Sequence, residues 1–366
     1  MRININMPVN EFPHSNVAEV ELTTKCTVKC ECCPRNHEKN AHRNWNVGHI
    51  DTQDLLKLVD SRYTEIILGG AYGDPIYHPD VVEIITELKR RDIMLSMDTN
   101  GSYMSAEHWL ALAQAFNIDD AITFSIDGSP DNFTTYRVNA DWTSIRKGIE
   151  ILAENSEVML RWKYIVFRYN SDFETIKAAY EAARELGMHH FQLVHTKRCP
   201  EGQFVPVEEF SQALDRLEEY VENLPRPRPR LTINISPRSR KVADSDKPVA
   251  PVPKPLGTRK RSLRRVQKFT VDRNLMDTEL VHPQCMNVEN HQSFVGADGV
   301  YYPCCYVYSD LVSMQTQFGL TDEELDSMRI AGRTVDEITA GPGYQKIMQS
   351  FDKSQTCRSK CPRKIT

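Results

Sequence analysis

The alternation of short β-rich runs with runs of helical period is the feature that most limits the fold of this chain. Six apolar or β-branched runs alternate with five amphipathic runs between residues 17 and 194. This alternation predicts parallel strands joined by crossover helices. Six strands are too few to close an eight-stranded barrel. The predicted strands are 18–22, 65–68, 93–97, 121–126, 159–167 and 191–194, and the predicted helices are 52–61, 79–91, 105–116, 142–154 and 172–186.

Three cysteines follow the first predicted strand. Thiolates at the spacing of Cys26, Cys30 and Cys33 fit in one tight loop and can hold three irons of a 4Fe-4S cube, leaving the fourth iron without a protein ligand. The alternatives are inert buried thiols or a zinc site, for which His37 is the nearby fourth candidate. Cys32 is an alternative to Cys33 as a ligand, although its use would shorten the spacing.

The spacing of these three cysteines after a short apolar strand resembles the signature of the radical S-adenosylmethionine (radical SAM) enzymes. The resemblance implies an α/β fold, a partial (β/α)6 TIM-like barrel with its reactive loops at the carboxyl ends of the strands. It also implies that the open iron binds S-adenosylmethionine (SAM) and that an electron, supplied by a donor such as flavodoxin or ferredoxin, cleaves SAM to a 5′-deoxyadenosyl radical. The family usually has an aromatic residue just before the third cysteine, where this chain has Cys32.

Three further predicted strand ends carry segments similar to motifs of the same family. Residues 69–75 are similar to its "GGEP" segment, with Asp74 in place of Glu, residues 98–101 to its "TNG" turn, and residues 125–128 to its "SIDG" segment. Glycines allow close approach of the backbone and a carboxylate can pair with an ammonium, although a Gly-Gly-Asp-Pro run alone is only a turn. The resemblance implies the following SAM-binding residues: Gly69, Gly70, Gly73, Asp74, Thr99, Asn100, Ser125, Asp127 and Arg137.

Cationic residues lie on the last two predicted strands and just after them. Arg161, Lys163 and His195 can face the mouth of the barrel, where they would bind a substrate anion or relay a proton. The alternative is that the first two pair with acids outside the barrel and that His195 is structural. We assign none of the three a role, and the sequence predicts no particular catalytic residue.

A second set of cysteines lies near the C-terminal end of the sequence. Residues 294–304 predict a hairpin with its turn at Asp298-Gly299. One cysteine, a hairpin, another cysteine, a helix and a closing pair resemble the Twitch domain, the reduced form of the SPASM extension of radical SAM enzymes. The resemblance implies an auxiliary 4Fe-4S cluster, with a four-thiolate zinc site as the alternative. Its ligands would be Cys285, Cys304, Cys357 and Cys361, whereas Cys199 and Cys305 are expected to be non-ligands.

Between the two cysteine sets the composition becomes basic. After a predicted helix at 207–224, residues 225–268 carry 14 Lys or Arg against two Asp, and eight of the 20 prolines. This composition predicts an extended linker or flap, with binding to nucleic acid phosphates or to the acidic body as alternatives. The predicted domains are therefore a barrel (1–198), a helix with the basic linker (199–283) and an auxiliary-cluster domain (284–366).

Composition also bounds the location of the protein. The 366 residues carry a formal net charge of −5, without a run of about 18 apolar residues or a signal peptide in residues 1–10. We expect a cytoplasmic protein without a membrane partner. In that compartment ten cysteines indicate metal ligands rather than disulfides.

The predicted function is that of a radical SAM enzyme, which abstracts a substrate hydrogen and completes a two-electron oxidation through the auxiliary cluster. About 16 residues precede the first strand, so we expect a small molecule, or a peptide or protein recognised by the C-terminal part. One alternative is a peptide-modifying enzyme whose ribosomal substrate is presented by a separate partner. Another is a non-catalytic iron-sulfur protein that binds nucleic acid through the basic segment.

Overall fold

The computed structural model describes residues 16–33, 35, 48–195, 204–234, 281–283, 292–309, 314–351, 354, 357 and 362–364. No helix in these ranges is long and apolar enough to cross a membrane. In chain order the elements are β1 (Val17–Glu21), α1 (Thr52–Leu58), β2 (Glu65–Gly69), α2 (Val81–Arg90), β3 (Met94–Thr99), α3 (Ala106–Ala115), β4 (Ala121–Ser125), α4 (Trp142–Asn155), β5 (Met159–Val166), α5 (Phe173–Glu185), β6 (His190–His195), α6 (Val207–Glu222), β7 (Arg230–Asn234), β8 (Val281–Pro283), β9 (Gln292–Val295), β10 (Tyr301–Tyr302), α7 (Cys305–Ser309), α8 (Met314–Phe318), α9 (Asp322–Asp326), α10 (Val335–Ala340), α11 (Pro342–Ser350) and β11 (Pro362–Lys364).

One twisted sheet organises these elements. Its strand order is β10-β9-β1-β2-β3-β4-β5-β6-β7, and the strands from β1 to β7 run parallel in sequence order. Strands β8 and β11 form a separate antiparallel pair. The prediction of an open parallel α/β sheet, consistent with a partial TIM-like barrel, is therefore confirmed.

Side-chain alternation gives the sheet two different faces. Along β5 the alternate residues Leu160, Trp162 and Tyr164 are fully buried in the core that the strands share with the helices. Arg161 and Lys163 lie between them and therefore point to the opposite face, which we call the inner face. The inner face is polar and half-buried. The loops at the carboxyl ends of the strands lie at one end of this face.

The helices begin where the sequence provides a side-chain cap. Asp51, Ser105, Asp141 and Asp172 each accept a hydrogen bond from a backbone N–H in the first turn of the helix that follows. Such caps satisfy amide groups that have no partner inside a helix. Gly187, whose φ is +70°, follows the last turn of α5 and ends that helix.

The basic segment contributes a strand that the linker prediction did not include. Residues Arg230–Asn234 form β7, which pairs in parallel with β6 from His190↔Arg230 to Val194↔Asn234. Leu231 and Ile233 pack against the main core, so these five residues belong to the sheet and the linker prediction is wrong for them. Residues 235–268 lie outside the described residues.

The C-terminal part extends the same sheet at its other edge. Strand β9 pairs in parallel with β1 from Val17↔Gln292 to Val20↔Val295, and β10 returns antiparallel to β9. Gly299, with a φ of +71°, lies in the intervening turn, as the predicted hairpin requires. We call the C-terminal part of the chain, from residue 284 onward, the tail.

The tail and the barrel share one core. Phe294 is fully buried and belongs to the same apolar cluster as the residues of β1. On the surface, the guanidinium of Arg62, which follows α1, donates to both carboxylate oxygens of Asp336 at 2.7 and 2.8 Å. Lys57 on α1 donates to the carbonyl of Gly332 at 2.6 Å. The shared sheet, core and ion pair indicate that the tail and the barrel unfold together.

We predict that Phe294→Ala in the tail destabilises the barrel by about 3 to 5 kcal/mol, the usual range for a buried Phe replaced by Ala. All four tryptophans of the chain lie between residues 45 and 162, so their fluorescence reports on the barrel alone. The measurement is anaerobic urea unfolding followed by this fluorescence. Ile118→Ala is the control, since Ile118 is 61% exposed and its loss should change stability by less than about 0.5 kcal/mol. An unchanged fluorescence midpoint in Phe294→Ala would show that the tail unfolds independently.

Candidate active site

The residues from Leu22 to Cys33 form the cysteine loop, which leaves the carboxyl end of β1. Hydrogen bonds with two other loops hold it. Asp74 N–H donates to the carbonyl of Lys25 at 3.0 Å. Lys29 N–H donates to the carbonyl of Val138 at 2.8 Å, and the Asn139 amide to the carbonyl of Thr27 at 2.7 Å. The loop is therefore fixed by the segments that follow β2 and β4.

Two of the predicted ligand sulfurs are approached by N–H donors. The amide Nδ2 of Asn100 lies 3.7 Å from Sγ of Cys26, and Nη1 of Arg137 lies 3.7 Å from Sγ of Cys30. Cys33 N–H donates to the carbonyl of Cys30 at 3.1 Å, which closes the turn between these two cysteines. Hydrogen bonds to ligand sulfurs are one means by which proteins tune an iron-sulfur cluster.

The environment of these thiols is strongly desolvating. Burial, reinforced by the carboxylate of Asp74, raises the pKa of Cys26 to about 12. Burial also raises the pKa of Cys30, although Arg137 opposes the shift. Thiols give up their protons when they bind a metal, and the metal then supplies the compensating positive charge.

The donor set fits a 4Fe-4S cube, because three thiols on one short loop can each bind a different iron. Within the described ranges, no three His, Cys, Asp or Glu side chains are grouped as the ligands of one metal ion. Cys26, Cys30 and Cys33 are present as thiols, and the alternative use of Cys32 in place of Cys33 stays untested. His37 lies outside the described residues.

Asp74 connects two loops of the site. Its Oδ2 accepts hydrogen bonds from the backbone N–H of Asn100 at 2.6 Å and from the Asn100 amide at 2.5 Å, while Oδ1 accepts from Ile76 N–H at 3.3 Å. The Thr99 hydroxyl contacts the same carboxyl group. Burial raises the pKa of Asp74 to about 6. Asp74 thus orients the Asn100 amide toward Cys26, and its predicted pairing with SAM stays a prediction.

We call residues 69–74 the glycine loop. Close packing of the chain requires two of its glycines. A Cβ on Gly73 would lie 1.6 Å from the carbonyl oxygen of Thr23. A Cβ on Gly70 would lie 2.7 Å from the carbonyl of Gly73 and 2.9 Å from Oε1 of Glu21. Packing against the start of the cysteine loop therefore explains Gly70 and Gly73 without a cofactor, and their predicted contact with SAM is untested.

Asp127 orients Arg137. The carboxylate of Asp127 is fully buried, accepting from Nε of Arg137 at 2.7 Å and from Ile165 N–H at 2.7 Å. Burial opposes the charge of Arg137, but the attraction of Asp127 and Cys30 outweighs it and raises the pKa of Arg137. The arrangement holds a permanent cation beside Cys30. Ser125, at the end of β4, lies on the inner face, where it pairs in register with Lys163.

The cationic residues of the fifth and sixth strands have separate environments. Nζ of Lys163 lies 2.9 Å from Oδ2 of Asp98, so Lys163 pairs with an acid, but on the inner face and not outside the barrel. Burial raises the pKa of the Glu19 carboxyl on β1, and the nearby charges of Asp98 and Lys163 act on it in opposite directions. His195 is buried with Nε2 2.8 Å from the carbonyl of Val205, as expected for a structural histidine.

Two functional candidates were missed by the sequence analysis. The hydroxyl of Tyr77 lies 2.7 Å from the Thr27 hydroxyl and donates to the carbonyl of Ser102 at 2.6 Å. It therefore links the cysteine loop to the loop that follows β3. Glu21 is fully buried at the end of β1. A glutamate within the apolar run that precedes the cysteines was the available signal for Glu21, and no pattern marks Tyr77.

The tail cysteines are partly described. Cys304 and Cys357 are half-buried against the main core, and Cys285 and Cys361 lie outside the described residues. The thiol of Cys305 hydrogen-bonds Glu19 at the inner face. The auxiliary ligand set therefore stays a prediction.

Residues 20–166 match the model of the Radical SAM superfamily. The "Tungsten-containing aldehyde ferredoxin oxidoreductase cofactor-modifying protein" of Pyrococcus furiosus is 30% identical over 115 residues, which cover 30% of this chain and 30% of the relative. The match thus spans under a third of that protein's length.

Solved structures share the fold. SuiB of Streptococcus suis bound to precursor peptide SuiA superposes with a TM-score of 0.56 at 12% identity, covering 91% of this chain and 71% of SuiB. The superposition on the SAM-bound form of SuiB covers 61% of the SuiB chain. Native anSMEcpe with bound AdoMet and Cp18Cys peptide gives a TM-score of 0.53 at 13% identity, covering 94% of this chain and 85% of anSMEcpe.

The matched residues begin in β1 and end with β5, and they include the cysteine loop, the glycine loop and the Asp127–Arg137 pair. The family implies a 4Fe-4S cluster and SAM, and the sulfur donors of the cysteine loop suit such a cluster. The sequence match and the shared fold therefore show that residues 20–166 form a domain similar to the radical SAM superfamily.

Proposed function

We propose that the protein is an enzyme that cleaves SAM reductively and removes a hydrogen atom from a substrate held at the inner face of the sheet. The observation that carries the proposal is the convergence of Asn100 and Arg137, from two different strand ends, on the sulfurs of Cys26 and Cys30. When bound, the cluster and SAM supply an electron and a carbon-centred radical.

The roles of the chain's own residues follow from their positions. Cys26, Cys30 and Cys33 would hold the cluster, as the resemblance implies. Arg137 carries a fixed positive charge beside Cys30 and is suited to the carboxylate of SAM, since guanidinium groups bind carboxylates with directed hydrogen bonds. Asp127 fixes the direction of that guanidinium and is a positioning residue.

The inner face is the proposed substrate site. Side chains of Asp98 and Lys163 are 44% and 31% exposed there, although their charges pair at 2.9 Å. Glu19 and Cys305 lie beside them. These strands end at the cysteine loop and the loops that hold it, so a substrate on the inner face would lie beneath the cluster. Charged and polar groups at this depth suit a polar substrate.

A peptide or a peptide-like molecule is the substrate that the fold favours. SuiB and anSMEcpe, which share the fold, were solved with a precursor peptide and with a peptide, respectively. A small molecule is the second candidate, and the name of the Pyrococcus furiosus relative, a cofactor-modifying protein, favours it. The nucleic-acid alternative depends on a basic segment of which residues 235–268 lie outside the described residues.

We further propose that the tail holds an auxiliary 4Fe-4S cluster that accepts an electron from the substrate radical. Four cysteine ligands would leave no open iron, so such a cluster suits electron transfer better than substrate binding. The position of Cys304, directly before α7, supports this proposal because α7 contacts the inner face through Cys305.

We predict that the anaerobically reconstituted protein contains about eight irons per chain, two Cys-ligated cubes, and forms 5′-deoxyadenosine from SAM with dithionite. Replacement of Cys26, Cys30 and Cys33 by Ala should leave about four irons and abolish deoxyadenosine. Iron analysis and chromatography measure the two results. Cys305→Ala is the control for iron content and should keep about eight. A wild-type content of about four irons, with zinc in the tail, would contradict the auxiliary cluster alone.

We predict that Arg137→Lys weakens SAM binding roughly tenfold or more without loss of iron, because a hydrogen bond to a charged group contributes about 1.5 to 3 kcal/mol. Lysine keeps the charge near Asp127 but cannot reproduce the planar fork of the guanidinium. Equilibrium dialysis with labelled SAM gives the affinity. Arg146→Lys, in an exposed ion pair on α4, is the matched control. Wild-type affinity in Arg137→Lys would remove Arg137 from the cofactor site.

The proposed electron transfer predicts the product. Once a substrate is found, the product should be lighter by two hydrogens, with one deoxyadenosine formed per product, because the auxiliary cluster takes the second electron. Mass spectrometry of the product and quantification of deoxyadenosine test this outcome. An isomeric product, formed while SAM is recovered unchanged, would contradict the oxidative role of the tail.

A further inference from the structure

Glu21 is a buried acceptor shared by two parts of the molecule. Its Oε1 accepts hydrogen bonds from the backbone N–H of Tyr72 at 2.6 Å and of Gly73 at 3.1 Å, both in the glycine loop. Its Oε2 accepts from the hydroxyl of Tyr308 on α7 of the tail. A carboxylate with no exposure to solvent needs hydrogen-bond donors from within the protein. For Glu21 these donors come from the glycine loop and from the tail.

The side chain of Tyr308 is held in place by aromatic packing. Its ring lies 4.7 Å from that of Phe294 and 5.4 Å from that of Tyr72, measured between centroids. Tyr72 belongs to the glycine loop, so α7 touches this loop through a ring contact as well as through Glu21. The tail and the glycine loop are therefore linked at two points.

The glycine loop transmits this link toward the cysteines. Directly after Gly73, Asp74 holds the Asn100 amide, and that amide lies 3.7 Å from the sulfur of Cys26. Gly73 itself packs on the carbonyl of Thr23, so the loop has no room to shift toward the cysteine loop. Loss of the Glu21 bonds would leave the Tyr72 and Gly73 amides without their acceptor and would loosen the loop at its midpoint.

We infer that Glu21 is a positioning residue through which helix α7 of the tail holds the glycine loop in its SAM-binding form. The inference rests on the proposed function, since it takes the glycine loop to be part of the SAM site. In this arrangement the tail does more than carry its own cysteines: the Tyr308 hydroxyl sets the affinity of a cofactor that it does not touch.

The test uses full-length reconstituted protein and the variants Tyr308→Phe and Glu21→Ala. Tyr302→Phe is the matched control, because its hydroxyl also donates to a carboxylate in the tail, Asp298 at 2.6 Å, but Glu21 is not its acceptor. Hydrogen exchange of the peptide that covers residues 69–75 is followed by mass spectrometry. Exchange should rise roughly tenfold or more in both test variants and stay at the wild-type rate in the control.

SAM affinity, measured by equilibrium dialysis with labelled SAM, is the second readout. We expect weakening of roughly tenfold or more in Glu21→Ala and several-fold in Tyr308→Phe, with less than twofold change in Tyr302→Phe and full iron content in all. Tyr308→Phe decides the matter if Glu21→Ala does not fold. Wild-type exchange and affinity in Tyr308→Phe would overturn the inference, whereas absence of SAM binding by the wild-type protein would contradict the proposed function instead.

Discussion

Buried carboxylates at the carboxyl ends of the parallel strands hold the loops of the site together. Glu21 and Asp74 each accept hydrogen bonds from another loop, and Asp127 accepts from Arg137 and from Ile165 of β5. Each of the three carboxylates is almost or entirely removed from solvent. A carboxylate in such a place is costly unless several donors surround it, so its presence fixes the relative position of the segments that supply those donors. These buried carboxylates and the N–H groups that they bind organise the site.

The tail takes part in this arrangement. Strand β9 covers the edge of β1 that would otherwise expose unpaired backbone groups, and Tyr308 completes the shell of Glu21. Cys26 and Cys304 are thereby connected through one sheet, because Cys26 follows β1 and Cys304 precedes α7, which contacts β1 through Tyr308. This relation gives a physical reason why a cluster in the tail would exchange electrons with chemistry at the inner face.

Polarity at the inner face is the other constraint on function. The ion pair of Lys163 with Asp98 spans β4, and its two side chains remain partly accessible to solvent. Such a pair contributes little to stability when it is exposed, so the fold does not depend on it and its charges are accessible to the polar substrate proposed above. The neighbouring Glu19 has a raised pKa because it is desolvated.

The sequence by itself determined the order of strands and helices, the cap at Ser105, the hairpin turn at Gly299 and the three cysteines after β1, because each of these depends on local periodicity or spacing. The tertiary structure alone decided that residues 230–234 join the sheet and that β9 pairs with β1, since strand partners distant in the chain leave no local signal. It likewise decided that Gly73 serves the packing against Thr23, that Lys163 pairs with Asp98 on the inner face, and that Glu21 binds both the glycine loop and the tail. These are contacts between residues far apart in sequence, and they form only when the folded sheet brings the strand ends together.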